Sequence, residues 1–378
     1  MDVSKLKELD RITEARIADR RLVSAAYAVA QNNEVIFKNA IGYADIENGV
    51  PLTYTTPVRL ASMTKPITGV ALMMMVERGK VSLDDNVSKY IPSFAHMNVA
   101  IVDEHGKITG QYPAKNEIQV RDLLNQASGL GEGEAGNRAW KDYHMKDGDT
   151  LASMVPKFGD QLLDFEPRKQ AIYSWTQAFD TAAYIVELTS GVEFEKFVLD
   201  NILHPLGCYD TVYTPSEDQW ARLMKMYDAR DGKITEIDMH GLIFGDVPLT
   251  YRAAGAGMIG TLDDYMKFAA MLFNKGEYNG VRILKPETVE LMATPSLPFY
   301  NPDVDVETWG LSMRVINKTT EHQLLPHGAF GWSGAYGTHF FIDWKNGVYA
   351  VYIKNLLDGG GAGADTAREF EKVIMEAL

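Results

Sequence analysis

Segments with the pattern of β-strands lie at the two ends of the chain, and this placement most restricts the fold. They are found at residues 24–30, 34–44, 309–316, 338–344 and 347–355. The dipeptide Asn32-Asn33 separates the first two, and Lys345-Asn346-Gly347 joins the last two as a hairpin. Hairpins pair their strands antiparallel, whereas parallel strands need long crossovers. The sequence therefore predicts an α+β fold with one antiparallel sheet built from both ends of the chain.

Helical patterns flank these strands. The N-terminal segment places Leu6, Leu9, Ile12 and Ile17 on one face of a helix, and residues 364–378 are amphipathic with the same period. The sheet is therefore expected to be covered by an N-terminal and a C-terminal helix.

The interior of the chain is rich in helical periodicity, which predicts a helical lobe inserted into the sheet. We predict a single module over residues 1–378, with a sheet lobe from about 1–75 and 240–378 and a mainly helical lobe at about 76–239. Residues 131–170 are polar, contain glycine and lack a period, which is typical of an exposed loop or flap. The sequence leaves open whether this segment closes over a site.

The charge balance favours small-molecule chemistry. The chain has 37 basic and 51 acidic side chains, for a net charge of −14, and such a surface repels nucleic acid and anionic membranes. Cys208 is the only cysteine, which excludes an internal disulfide and fits a reducing compartment. The N-terminus has no apolar signal-peptide core, and no run of about 18 apolar residues occurs. We predict a cytoplasmic protein with no nucleic-acid or membrane partner.

The pair Ser62 and Lys65 opens a long apolar helix and carries the first chemical signal. Residues three apart on a helix share a face, so the lysine amine can reach the serine hydroxyl. Serine needs such a base to become a nucleophile, and burial would lower the lysine pKa far enough to supply one. The pattern alone is weak, because the same spacing recurs at Ser4 and Lys7 in the N-terminal helix.

Longer motifs extend this signal. The chain contains ASMTKPITG (61–69), GKVSLDDNVSKYIPSF (79–94), LLNQASGL (123–130), HPLGCYDT (204–211) and GWSGAYGTHFFID (331–343). In this order they resemble the serine β-lactamase and penicillin-binding superfamily, in its class C branch, with the motif pattern most similar to family VIII carboxylesterases. The resemblance covers nearly the whole chain. It implies a β-lactamase/transpeptidase-like fold and a covalent acyl-enzyme mechanism that uses no metal and no organic cofactor.

The resemblance also implies roles for individual residues. Ser62 would be the nucleophile, and Lys65 and Tyr173 would share its proton, with a Tyr173 phenolate favoured by the lysine ammonium. The oxyanion would be held by the backbone N–H groups of Ser62 and Ala335.

Two departures from the family pattern point to the substrate. Trp175 replaces the asparagine of the Tyr-x-Asn box, and Trp332 replaces the cation of the Lys-Thr-Gly box. An indole cannot pair with a carboxylate as an ammonium does, so the pocket should prefer neutral, apolar esters. The predicted substrate-binding residues are Trp175, Trp332, Ser333, Gly334 and Tyr336. A D-amino-acid amidase, a DD-peptidase or a weak β-lactamase stays open, since His327 or Arg314 could restore an anion contact.

Hypotheses of other classes are also open. Gly255-Ala-Gly257-Met-Ile-Gly260 fits a dinucleotide fingerprint and suggests a nicotinamide or flavin oxidoreductase, although neither the preceding segment nor an acidic residue downstream fits. A catalytically silent binding protein is a further alternative. His204 and Cys208 are spaced for a shared metal but lack a third ligand, so core packing is favoured. The formation of a homodimer is left open.

Overall fold

The chain folds into strands and helices that follow one another along the sequence. The computed structural model describes residues 1–142, 146–239, 250–357, 359–361 and 364–378. Its strands are β1 (Ser24–Gln31), β2 (Glu34–Asp45), β3 (Val50–Pro51), β4 (Val58–Arg59), β5 (Asn98–Val102), β6 (Ile108–Pro113), β7 (Leu162–Leu163), β8 (Met226–Asp228), β9 (Thr235–Ile237), β10 (Ile259–Gly260), β11 (Glu277–Tyr278), β12 (Val281–Arg282), β13 (Glu307–Trp309), β14 (Arg314–Ile316), β15 (Phe330–Ser333), β16 (His339–Asp343) and β17 (Val348–Ile353).

Its helices begin and end the chain and fill the space between the strands. They are α1 (Val3–Leu6), α2 (Glu8–Ala18), α3 (Thr64–Glu77), α4 (Val120–Leu124), α5 (Glu134–Asp142), α6 (Leu151–Phe158), α7 (Gln177–Ser190), α8 (Phe194–Val198), α9 (Glu217–Arg222), α10 (Leu262–Phe273), α11 (Pro286–Met292) and α12 (Asp365–Ala377). None of the described helices is both long and apolar enough to cross a bilayer.

One antiparallel sheet joins the two ends of the chain, as predicted. Among the described residues its order is β13-β14-β15-β16-β17-β1-β2-β3. The N-terminal strand β1 pairs with the C-terminal strand β17, with Tyr27 opposite Tyr352. The predicted hairpin β16–β17 forms, and Asp343 pairs with Val348 at its turn. The division into a sheet lobe and a helical lobe stays a prediction, and residues 240–249 lie outside the described residues.

The sheet separates two apolar layers, because successive side chains of a strand point to opposite faces. On β1, Ala26 and Ala28 face the larger core, which contains α3, α7 and α10. Tyr27 and Val29 face the second core, formed with α1, α2 and α12. Small alanines on one face allow α10 to pack closely against β1 and β17.

The helix α3 runs through the larger core. Its residues from Thr64 to Met75 are buried, and it packs against α7. A helix that is apolar all round can only be stable inside such a core, so its first turn is held firmly in position. The Ser62 hydroxyl lies just before that turn.

Two local predictions are wrong. Residues 131–170 contain α5, α6 and β7, where a loop was expected. Helix α6 begins at a Thr150 cap that pairs with Ser153, and it buries Leu151, Val155 and Phe158. This apolar spacing is present in the sequence but is diluted by the polar residues around it. Residues 143–145 of the segment lie outside the described residues, and whether the segment closes over a site stays open.

The predicted strand at 309–316 is instead a turn between two strands, β13 and β14. Ser312 has a positive φ of 70°, and Gly310 N–H donates to Met313 O at 2.9 Å. Gly69 of α3 makes room for this turn, since a Cβ there would lie 2.0 Å from Ser312 Oγ. The approach of two segments that are distant in sequence therefore decides the turn.

Candidate active site

Ser62 lies in a strained turn just before α3. It belongs to a single 3₁₀ turn, Ala61–Met63, and is half-buried. The preceding Ala61 has a φ of 47°, a left-handed conformation that is rare for a residue other than glycine. Such strain costs on the order of 1–3 kcal/mol and is typical of functional sites. The turn presents the hydroxyl at the surface of the core while α3 anchors the backbone behind it.

Lys65 points its amine at that hydroxyl. The side chain is fully buried, and Nζ lies 3.3 Å from Ser62 Oγ. Nζ also donates to the backbone carbonyls of Trp175 at 2.5 Å and Gly255 at 2.9 Å. Two carbonyls from separate segments thus hold the amine at a fixed place beside the serine.

Burial lowers the pKa of the Lys65 amine, which favours its neutral, basic form. Desolvation lowers the pKa of Lys65 to about 7, although the nearby carboxyl groups of Asp180 and Glu132 act in the opposite direction. An ordinary lysine has a pKa near 10.4 and is almost fully protonated at neutral pH. Lys65 is therefore about half neutral at pH 7, and its neutral form can accept the serine proton.

Tyr173 lies on the other side of Ser62. Its hydroxyl donates to Ser62 Oγ at 2.6 Å, and its ring lies 4.6 Å from Lys65 Nζ. Trp332 Nε1 approaches the Tyr173 hydroxyl at 3.4 Å. Burial raises the pKa of Tyr173 well above its usual value, which favours the neutral phenol. These pKa shifts oppose the expected phenolate and favour Lys65 as the base and Tyr173 as the acid.

Gln126 positions the segment that carries Tyr173. Its backbone carbonyl accepts from Ile172 N–H at 3.1 Å, and its side-chain Oε1 accepts from Ser174 N–H at 2.8 Å. Gln126 is buried and has a φ of 67°. Sequence reasoning assigned no role to this residue, although it lies in the quoted motif LLNQASGL.

The end of β15 meets the turn that carries Ser62. Ala335 is exposed, and within the described part of the chain its N–H has no hydrogen-bond acceptor. Just before it, a Cβ on Gly334 would lie 2.3 Å from Leu60 O. Thr338 Oγ1 donates to the same carbonyl at 3.0 Å. The N–H of Ala335 is thus available for an oxyanion, and only glycine allows the two backbones to approach at residue 334.

Aromatic rings form one wall beside Tyr173. The ring centroids of Trp309 and Trp332 are 4.5 Å apart, and Tyr173 lies 6.1 Å from the first and 5.5 Å from the second. Trp309 was not predicted, because it is brought here by β13 at the edge of the sheet. Trp175 is 49% exposed, so its indole is accessible while its carbonyl holds Lys65.

The remaining predicted site residues have other interaction partners. Ser333 is buried, and its hydroxyl is 2.6 Å from His339 Nδ1. Tyr336 is half-buried, and burial raises its pKa although the charge of Arg59 acts in the opposite direction. His327 Nδ1 lies 2.8 Å from Asn317 O.

Arg314 does not serve the anion contact proposed for it. Its Nη2 pairs with Glu371 Oε1 at 2.8 Å, and its Nη1 lies 3.4 Å from Glu307. The guanidinium is therefore engaged with the C-terminal helix.

Two acidic residues near Lys65 were also missed by the sequence reasoning. Asp180 is fully buried, accepts from Tyr251 OH at 2.6 Å and from Ala254 N–H at 2.7 Å, and burial raises its pKa to about 7. Glu132 is half-buried, burial raises its pKa to about 7, and its Oε1 is buried without a partner among the described residues. Only the tertiary contacts place these carboxyl groups beside the lysine.

The glycine-rich stretch at 255–260 serves the same site. Gly255 O holds Lys65, and Gly260 ends the short strand β10, which pairs antiparallel with β4. A dinucleotide fold needs a parallel strand at this point, so the oxidoreductase hypothesis has no structural support here.

The spaced pair His204 and Cys208 is engaged in other contacts. Cys208 Sγ donates to Asp264 O at 3.2 Å, and the ring of His204 packs on Tyr209. Among the described residues, no group of three or more acidic, histidine or cysteine side chains is arranged to hold a metal.

Comparison with known proteins places this geometry in context. A sequence model of the family described as Beta-lactamase matches residues 9–373. Protein Rv1367c of Mycobacterium tuberculosis is 30% identical over 359 residues, which cover 89% of this chain and 87% of the relative. Esterase EstB of Burkholderia gladioli is 26% identical over 379 residues, covering 94% and 91%.

The solved structures include EstCE1, described as a hydrolase with promiscuous acyltransferase activity. It superposes with a TM-score of 0.77 at 24% identity, covering 99% of this chain and 98% of EstCE1. This likeness confirms the predicted β-lactamase/transpeptidase-like fold.

Proposed function

The chain belongs to the Beta-lactamase family, and we propose that it is a serine hydrolase that cleaves small esters through an acyl-enzyme on Ser62. The observation that carries the proposal is the position of Ser62 Oγ, 3.3 Å from Lys65 Nζ and 2.6 Å from Tyr173 OH. A nucleophile, a base with a pKa of about 7 and a phenol that donates to the nucleophile meet at one point.

In the acylation step, neutral Lys65 accepts the proton of Ser62 while Oγ forms a bond to the ester carbonyl carbon. The carbonyl electron pair moves onto oxygen, and the N–H groups of Ser62 and Ala335 stabilise that charge. When the tetrahedral intermediate collapses, the bond to the alcohol oxygen breaks and Tyr173 donates its proton to the leaving alkoxide. The Lys65 ammonium then returns a proton to the Tyr173 oxygen, which regenerates both groups.

In the deacylation step, water attacks the acyl carbon and passes a proton to Lys65. The new oxyanion collapses, the bond to Ser62 Oγ breaks, and Oγ takes a proton from Tyr173, which recovers one from the Lys65 ammonium. The acid leaves and the resting state returns. This sequence needs no metal and no organic cofactor.

The preference for esters rests on the wall formed by Trp309, Trp332 and Tyr173. Where other members of the superfamily present a cation to a substrate carboxylate, Trp332 presents an apolar ring and one N–H. Such a wall binds apolar groups well but leaves a carboxylate poorly solvated. We propose a small neutral ester as substrate, a cytoplasmic location and no nucleic-acid or membrane partner.

A second candidate is a D-amino-acid amidase or DD-peptidase on the same site. Glu132 favours it, because one of its oxygens is buried without a partner among the described residues and its charge acts on Lys65 and Tyr173. A substrate ammonium group would satisfy such a carboxylate.

Covalent labelling tests the proposal. A fluorophosphonate probe should add one adduct to the wild-type protein, located by peptide mass spectrometry at Ser62, and Ser62→Ala should prevent it. Ser4→Ala is the matched control, since Ser4 and Lys7 have the same spacing but Ser4 Oγ is exposed and bonds to Asp2. Absence of labelling in the wild type would refute the proposal.

Turnover of a substrate panel then separates the candidates. p-Nitrophenyl esters should be cleaved faster than nitrocefin and than D-amino-acid amides. Rapid cleavage of D-amino-acid amides with inert esters would instead favour the second candidate and leave the mechanism in place.

A further inference from the structure

A chain of buried polar side chains lies behind β15, on the face of the sheet that contacts α12. Its members are Ser333, His339, Arg314 and Glu371, which are 2%, 0%, 3% and 3% exposed. The first three lie on the adjacent strands β15, β16 and β14, and the fourth lies on α12. The proposed reaction uses none of these side chains.

Short contacts connect these four side chains one after another. Ser333 Oγ lies 2.6 Å from His339 Nδ1, and His339 Nε2 lies 3.1 Å from Glu371 Oε1. The same Glu371 oxygen accepts from Arg314 Nη2 at 2.8 Å. The carboxylate thus ties β14 and β16 to the C-terminal helix directly, and β15 through His339. Burial alone would raise the pKa of Glu371, but His339 and Arg314 hold it below its usual value.

The carboxylate selects the form of the imidazole. His339 Nε2 lies 3.1 Å from the carboxylate oxygen, an ion-pair distance without the geometry of a hydrogen bond. The negative charge favours a proton on this nitrogen, since a bare lone pair there would be repelled. In the neutral ring Nδ1 is then the acceptor, and Ser333 O–H donates to it. The Ser333 hydroxyl is therefore oriented by a residue that is itself oriented by Glu371.

This row of connected side chains ends at β15, the strand that leads to the predicted oxyanion site. On β15, Trp332 points toward Tyr173, while the next side chain, Ser333, points to the opposite face and toward His339. Two residues later comes the free N–H of Ala335. The backbone between them is packed closely against the nucleophile turn, where a Cβ on Gly334 would overlap Leu60 O.

Stability alone does not explain these residues. The ring of His339 packs against Phe341 and Phe370, with centroids 6.2 Å and 6.3 Å away. Charged and polar groups in such surroundings lose hydration that their pairing only partly replaces, and apolar side chains of the same volume are often at least as stable.

We propose that Ser333, His339 and Glu371 are positioning residues that hold the end of β15 so that Ala335 N–H faces the oxyanion. This inference rests on the proposed function. The hydroxyl of Ser333 then acts through the backbone and does not contact the substrate. Its loss lets the strand end shift, which weakens a contact made mainly in the transition state and so lowers kcat more than it raises KM.

The test compares Ser333→Ala with a matched control, Tyr27→Phe. Tyr27 is fully buried in the same layer, packs on Phe370, and its hydroxyl donates to Asp10 at 2.6 Å, but it lies on β1, which β16 and β17 separate from β15. Ser333→Ala removes a buried side-chain hydrogen bond, and Tyr27→Phe removes a half-buried one. We expect Ser333→Ala to lower kcat for a p-nitrophenyl ester about tenfold, a fraction of the loss caused by removal of an oxyanion donor. KM and the activity of Tyr27→Phe should stay near wild type.

A second variant and a second measurement keep the inference testable if Ser333→Ala is less stable. Ser333→Thr retains the hydroxyl and should keep most of the wild-type kcat, and thermal unfolding identifies the temperatures at which each variant is folded. Equal kcat in Ser333→Ala and the wild type would overturn the inference, as would an equal loss in Tyr27→Phe or in Ser333→Thr. If the wild type is not labelled at Ser62, the proposed function itself fails. If labelling occurs but Ser333→Ala is unaffected, only the positioning role fails.

Discussion

Gly255 offers a sharp test of how Lys65 is held. A Cβ on this residue would lie 2.4 Å from Trp175 O and 2.8 Å from Thr176 Cα, whereas ordinary contact begins at 3.4 Å. Gly255→Ala therefore forces a displacement of about 1 Å between the two segments. Both of their carbonyls accept hydrogen bonds from Lys65 Nζ, so the amine must move with them.

The size of the effect follows from this displacement. A shift of about 1 Å in a reacting group can cost about 10²-fold in rate, so kcat for Gly255→Ala should fall by about that factor. Overpacking of a core typically costs about 1–3 kcal/mol in the free energy of unfolding, and the variant should therefore stay folded but melt at a lower temperature. Glycine is needed here for space rather than for its backbone conformation, because its φ is not in the left-handed region.

Steady-state and burst kinetics with a p-nitrophenyl ester measure the loss, and thermal unfolding measures the stability. Gly361→Ala is the matched control, since a Cβ there would have no atom of the described residues within 4 Å. It should retain wild-type kcat and melting temperature. A Gly255→Ala protein with unchanged kcat would refute the argument that these carbonyls fix the base, whatever its stability.

Two further predictions concern charge. Lys65 has a pKa of about 7 and is proposed to act as the neutral amine. The value of kcat/KM should therefore rise about tenfold per pH unit below pH 7 and level off above it. A profile that is flat from pH 5 to 7 would contradict the assigned base. Trp332→Lys should restore the cation of the family and raise the ratio of nitrocefin to ester turnover by about tenfold or more, as expected for one charge-assisted hydrogen bond. Trp332→Met is the neutral control, and an equal ratio in the two variants would show that the ring, not the missing charge, sets the preference.

Local sequence patterns predicted part of the strand pairing in the sheet. Alternating segments at both ends, with turns at Asn32-Asn33 and Lys345-Asn346-Gly347, predicted the strand pairs β1–β2 and β16–β17 that the structure contains. These features depend on neighbours in the sequence, so the residues themselves carry the information.

The site was predicted in part for the same reason. Ser62 and Lys65 are three apart on one helix, so their contact follows from the period alone. Tyr173 required the family resemblance, since 111 residues separate it from Ser62. The structure brings these three groups together; their catalytic roles stay proposals.

Periodicity and turn residues were enough to predict the hairpin strands at both ends, the central helix and the serine–lysine pair, because each is set by residues a few positions apart. Packing between distant segments decided the rest: the pKa of Lys65, the neutral form of Tyr173, the partner of Ser333 and the presence of Trp309 beside the site. Desolvation and hydrogen bonding depend on which groups surround a side chain in space. A one-dimensional pattern does not contain those distances, so these properties appear only when the chain is folded.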